Sequence, residues 1–174
     1  MRALVKRDGV VQHVTDAPFP PLKRPDDVRI RVVIAALCRT DLYAARGLLP
    51  TPDPVVLGHE FSGIIDAIGP AVTGLSPGDR VAVHPALPCG QCHPCHSGQR
   101  CPHVRFLGVH RDGAFAEAIV VPRAAVHRLP EPLSFVQGAY AEPVAASLAV
   151  LGKGPHPDER WIIYGTGRIA HLTQ

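Results

Sequence analysis

Residues 89–101 read CGQCHPCHSGQRC, four cysteines spaced x2, x2 and x5 within one short stretch. Zinc prefers tetrahedral sulfur and nitrogen ligands, and a closed shell of four thiolates leaves no position for a substrate. The spacing therefore predicts a structural zinc site built from Cys89, Cys92, Cys95 and Cys101. The metal's binding free energy is then folding free energy, which suits a loop too polar to fold by burial. A disulfide pair or unligated surface thiols is the competing reading. It is weaker because clustered cysteines in a reducing compartment more often hold metal than bridge. His93, His96 and His103 lie near enough in sequence to replace a thiolate.

Working outward, the chain before the cysteines reads as short strands and turns. Residues 3–5 and 10–14 flank Asp8-Gly9, a hairpin signal. Pro18, Pro20, Pro21 and Pro25 make a connecting loop, and VRIRVVIAAL at 28–37 alternates and then becomes fully apolar, as a strand entering a core does. Thr40 is placed as the cap of a short helix that Gly47 ends, before a Pro-rich loop at 50–54. Strands are expected at 61–68 and 80–84 around a turn-rich hairpin at 69–78. Residues 85–103 read as one long loop, and further strands follow at 114–121 and 126–129. Ser134 caps a helix, residues 143–151 continue helically, and Trp161-Ile162-Ile163-Tyr164 reads as a strand entering a glycine turn.

The 174 residues, 46% of them hydrophobic, suffice for one packed domain and the start of a second. Net charge is +3, with no basic run longer than Lys6-Arg7 or Lys23-Arg24, which argues against a nucleic-acid partner. No apolar run reaches the roughly 18 residues of a membrane span. The first residues, MRALVK, lack the apolar core of a signal peptide, so the chain reads as cytoplasmic.

Six further motifs accompany the cysteine lobe in order: Cys38-Arg39-Thr40-Asp41, Gly58-His59-Glu60, Gly78-Asp79-Arg80-Val81, Asp112-Gly113-Ala114-Phe115-Ala116-Glu117, Glu142-Pro143-Val144 and the glycine turn. Together they resemble the zinc-dependent medium-chain dehydrogenases, the alcohol dehydrogenase family with a GroES-like catalytic domain. The resemblance implies a mainly β, partly open barrel over 1–155, carrying the structural zinc lobe. The truncated start of an α/β Rossmann domain would follow over 156–174. It implies a catalytic zinc held by Cys38 and His59, with Glu60 a ligand or close neighbour. No cysteine follows Cys101 to complete that site as in alcohol dehydrogenases proper. Glu142, before a proline, matches the glutamate of the polyol- and threonine-dehydrogenase-like members instead. An open site of this kind keeps a position for an alcohol oxygen and lowers its pKa. Thr40 matches the family's hydroxyl at the proton-transfer step. Tyr43 stands where a relay histidine is usual, and its ordinary pKa near ~10 makes it a poorer proton carrier.

Gly165-Thr166-Gly167-Arg168-Ile169-Ala170 fits G-x-G-x-x-A, the fingerprint of a dinucleotide-binding turn, with Gly165, Gly167 and Ala170 in the key positions. The resemblance adds Arg39 as a pyrophosphate contact. The acidic residue expected about 20 positions after the turn is absent, so NAD or NADP stays open and the chain is expected to be a fragment. The expected activity is oxidation of a secondary alcohol of polyol or cyclitol type by hydride transfer to NAD(P), since Cys38-Arg39-Thr40-Asp41, Leu107-Gly108-Val109-His110 and Gly138-Ala139-Tyr140-Ala141-Glu142-Pro143 resemble the cyclitol dehydrogenases of aminoglycoside pathways. The same chemistry can run as a reduction. Homodimers or homotetramers are expected of the whole enzyme. A truncated, catalytically inactive zinc-binding module is the rival reading.

Overall fold

Strand β3 (Asp27–Ala36) is the spine of the molecule: Val28 and Ile30 are fully buried while Arg31 between neighbours of the opposite face is exposed. Alternation of this kind needs a sheet with one face on a core. Here β3 pairs antiparallel with β5 (Glu60–Ile68) on one side and β9 (Ala118–Pro122) on the other. The sheet continues through β6 (Arg80–Val83) to β10 (Val126–Arg128), giving the order β10-β6-β5-β3-β9. Register shifts between Arg29/Ile30 and Val32/Ile34 interrupt the β3–β5 ladder. Such bulges increase local twist and bend the sheet. Its concave side is filled by Val28, Ile30, Phe61, Ile65, Val81, Leu107 and Val121. Each contributes about 1.5–3 kcal/mol by burial.

The computed structural model describes residues 1–150, 152 and 158–173. A second sheet, β2-β1-β4, is formed by β1 (Ala3–Arg7), β2 (Val10–Val14) and β4 (Val55–Val56). The expected hairpin turns at Asp8 and Gly9, both at positive φ. Among the described residues no helix is long and apolar enough to cross a membrane.

Four expectations need correction. Helix α1 (Arg39–Ala45) is capped by Cys38, not Thr40: Cys38 is extended, and its N–H donates to Asp41 Oδ2 at 2.9 Å. Thr40 already lies inside the helix. Residues 85–103 are not one loop, because β7 (Ala86–Leu87) pairs with β8 (Arg105–Phe106) and closes the lobe at its base. Inside the lobe, helix α2 (His93–His96) supplies one turn. The strand expected over 114–121 begins only at Ala118, since the preceding residues pair with the segment around Gly58 instead. Finally, residues 161–164 form no strand. Ile162 and Tyr164 are exposed, and among the described residues no strand pairs with this segment.

Ser134 caps α3 (Phe135–Ala139) as expected, its Oγ accepting from the Gln137 N–H. Ser62 Oγ donates to the Phe135 carbonyl at 2.5 Å and seats α3 on β5. Helix α4 (Ala141–Leu148) follows at once, and α5 (Arg168–Thr173) lies against it. The expected end of α4 at Leu151 and the division at 155/156 lie outside the described residues.

Candidate functional site

In the lobe, the turn of α2 brings Cys92 and Cys95 to 3.4 Å, and Cys89 Sγ lies 3.8 Å from Cys95. Cys101 Sγ reaches 3.6 Å from Cys89 and 3.8 Å from Cys92. A tetrahedron with metal–sulfur bonds of ~2.3 Å has sulfur–sulfur edges near ~3.8 Å, so the four thiols fit zinc. The x5 gap does not keep Cys101 out. His96 Nε2 is instead 3.2 Å from the Gly90 carbonyl, and the His103 N–H donates to Cys101 Sγ. Four thiols this close cannot share one protonation behaviour. The Gln91 N–H leads in drawing Cys89 down to about 6. Cys92, although the Cys95 N–H lowers it, is pushed up to about 12 by desolvation and neighbouring thiols.

The second cluster is assembled from distant elements. Cys38 ends β3's exit and caps α1, while His59 and Glu60 stand where the chain enters β5. One ligand atom from each of Cys38, His59 and Glu60 lies within 4.8 Å of the others. Asp41, buried inside α1, organises this corner. Its Oδ2 accepts from Cys38 N–H and its Oδ1 from Gly58 N–H at 3.1 Å. His59 Nδ1 is 3.2 Å from Asp41 Oδ1. The distance suits an ion pair but the direction does not suit a hydrogen bond, leaving Nδ1 without a hydrogen-bond partner.

Backbone packing beneath the cluster is unusually close. A Cβ on Gly113 would lie 2.1 Å from the Gly58 carbonyl oxygen, and one on Gly108 would lie 2.7 Å from it. Only glycine permits this approach. It holds the loop at 108–113 directly under Gly58-His59.

Electrostatics separate the groups. Hydrogen bonding to His59 leads in lowering the Cys38 thiol, with Thr40 helping against burial. Burial alone would lower His59, but Asp41 and Cys38 raise it to about 10. A thiolate beside an imidazolium is a pair from which a divalent cation displaces protons, so this donor set fits zinc too. Glu142, in the first turn of α4, is raised chiefly by burial.

Cys38, His59, Glu60 and Glu142 share one cavity of about 1340 Å³ with Arg39, Thr40, Gly165, Gly167 and Ala170. Glu142 lines it without joining the 4.8 Å set. A Cβ on Gly165 or Gly167 would meet nothing within 4 Å, so the turn's backbone is open on its outer side. Tyr43 is not among the residues lining this cavity, and its side chain is 43% exposed on α1. Sequence reasoning gave no site role to the wall residues Leu37, Leu49, Phe106 and His110, nor did it find the ion pair between Arg168 and Glu60. The 108-residue separation of that pair gives it no local signal.

The alcohol dehydrogenase GroES-like domain profile matches residues 24–131. Galactitol 1-phosphate 5-dehydrogenase of Escherichia coli K12 is 40% identical over 169 residues, which are 95% of this chain and 48% of that protein. A probable D-xylulose reductase A of Neosartorya fischeri is 36% identical over 165 residues, 90% of this chain and 46% of its own length. The crystal structure of E. coli galactitol-1-phosphate dehydrogenase superposes with a TM-score of 0.88 at 38% identity, covering 99% of this chain and 51% of that one. A zinc-binding dehydrogenase of Sinorhizobium meliloti bound to NADP gives a TM-score of 0.85 at 35% identity, again over 99% and 51%. The chain thus spans about half the length of these relatives.

Proposed function

The chain belongs to the alcohol dehydrogenase GroES-like domain family, and on that premise we propose that it provides the metal-binding half of a zinc- and NAD(P)-dependent dehydrogenase. The reaction is oxidation of a secondary alcohol of polyol or cyclitol type to a ketone. One observation carries the reading: a thiol, a buried imidazole and two acidic side chains share a cavity wall with a glycine turn. When bound, zinc supplies Lewis acidity toward an alcohol oxygen, and the nicotinamide accepts hydride. Residues 1–155 form the GroES-like domain and 156–174 the first turn of a dinucleotide-binding domain.

Within that reading, Cys38 and His59 would hold the catalytic metal, with Glu60 and Glu142 as the carboxylates of the same site. Asp41 fixes both principal ligands, through Cys38 N–H and beside the His59 ring. The Thr40 hydroxyl stands 3.7 Å from Cys38 Sγ on the cavity wall and would relay the alcohol proton, accepting it while giving its own hydroxyl proton onward to water. Tyr43 is set outward on α1, so it acts only at the solvent end of a relay. Gly165, Gly167 and Ala170 let the dinucleotide backbone approach, and Arg39 meets its pyrophosphate. The lobe cysteines hold the second, structural zinc. The substrate is a small polyhydroxylated molecule, and whole enzymes assemble as homodimers or homotetramers.

The test uses protein expressed from its complete reading frame, screened for dinucleotide reduction with polyols, polyol phosphates, cyclitols and threonine. Turnover abolished by Cys38→Ser, with the fold kept and metal content reduced by one ion, supports the reading. Undiminished turnover in that variant, or a wild-type chain that holds no metal, overturns it.

A further inference from the structure

His110 is gripped by the loop that carries it. Its backbone N–H donates to the Phe106 carbonyl at 2.8 Å, and the Phe106 N–H donates back to its ring Nδ1 at 3.0 Å. The two rings lie 6.2 Å apart at 45°. Leu107 and Val109 are buried on either side of Gly108, which packs on Gly58 beside His59. The ring is therefore fixed relative to the corner where Cys38 and His59 meet. A backbone N–H can only donate, so Nδ1 must be the bare nitrogen, and the neutral ring carries its proton on Nε2. No described residue accepts from that Nε2–H. His110 lines the cavity together with Leu37, Leu49, Phe106 and Val109, whose side chains offer no hydrogen-bond donor.

Resting on the dehydrogenase reading above, we propose that His110 is a specificity-determining residue whose Nε2–H donates to a substrate hydroxyl other than the one oxidised. An alcohol with a single hydroxyl would strip water from this donor and leave it without a partner, whereas a polyol would satisfy it. A placed donor rejects the analogue that lacks the matching acceptor, while apolar walls alone discriminate weakly. The donor is single and uncharged, which matches a hydroxyl oxygen. A phosphate ester is an anion that calls for a cation. Of the arginines lining the cavity, Arg39 is assigned to the pyrophosphate and Arg168 is bound to Glu60.

The test has two readouts. Nitrogen-15 NMR of the histidine-labelled chain should place the His110 proton on Nε2, its signal identified by its loss in His110→Phe. A proton on Nδ1 overturns the proposal whatever the enzyme does. The second readout is kcat/KM of protein expressed from its complete reading frame, with galactitol, xylitol and myo-inositol compared against 2-hexanol and galactitol 1-phosphate. His110→Phe should cut the preference for polyol over 2-hexanol about tenfold, the worth of one neutral hydrogen bond. His110→Gln, which keeps a donor, should restore most of it. Equal losses with polyols and 2-hexanol would reduce His110 to a structural part and overturn its role. A loss confined to galactitol 1-phosphate would assign the donor to a phosphate oxygen and overturn the hydroxyl partner. A wild-type enzyme that oxidises none of these alcohols sinks the dehydrogenase reading itself, and this role with it.

Discussion

The two sulfur-bearing regions are built on opposite principles. The lobe at 89–101 collects four identical donors from adjacent residues and closes its own base with β7 and β8. The cavity collects unlike donors from β3's end, the start of β5 and α4, and every one depends on the core for its position. Four thiolates saturate an ion and leave it nothing to do but hold the chain. A thiol, an imidazole and a carboxylate would leave an ion there with an open position. The difference shows how one chain separates a staple from a reaction centre, by ligand number and by the distance in sequence that each ligand must travel.

The comparison can be broken most forcefully at the lobe. Cys92→Ser should release one metal ion and open residues 88–104 to protease, while the β-sheet signal in circular dichroism persists. Structural zinc binding is worth about 10–16 kcal/mol in isolated fingers, so this is the largest effect expected. Loss of cavity metal in the same variant would show that the regions are not independent. Asp41→Ala attacks the other side. It removes the acceptor of the Cys38 and Gly58 N–H groups, and denaturant titration should show a loss of about 3 kcal/mol with the lobe's metal retained.

Gly113→Ala comes next. Its methyl would meet the Gly58 and Leu57 carbonyl oxygens at 2.1 and 2.7 Å, where only backbone can yield. A loss of about 1–3 kcal/mol should appear in denaturant titration, together with weakened metal binding at His59 but not at the lobe.

The smallest effect marks ground shared by neither region. The Ser76 N–H, and then Arg128, hold the Asp79 carboxyl below its ordinary value. A lowered carboxylate adds stability that is present above the unfolded pKa and is lost as pH falls through the folded one. Asp79→Asn should therefore cost under about 1 kcal/mol at neutral pH and nothing in strong acid. Thermal melts across the acid range check it, and neither metal site should respond.

The contrast also explains what could be read beforehand. Spacing alone announced the lobe, because its ligands are neighbours and a single α2 turn completes it. Alternation announced β3, β5 and β6, and the Ser134 cap was legible from residue type. The cap at Cys38 was not, because a thiol is no usual capping residue and Asp41 supplies the compensating acceptor. The strand expected at 161–164 failed because a ladder needs a neighbour, which no local pattern guarantees. The cavity's membership came through family motifs. The Arg168–Glu60 pair had neither spacing nor motif to reveal it, since its members lie 108 residues apart.

The glycine stack under Gly58 has a practical meaning for variation. At Gly58, Gly108 and Gly113, none of which lines the cavity, the permitted alphabet is reduced to one letter, because any side chain would push on the backbone beside His59. Room for change lies at Leu37, Leu49, Phe106 and His110, whose side chains line the cavity itself. A library built to redirect this pocket would randomise those four positions and leave Gly58, Gly108 and Gly113 untouched.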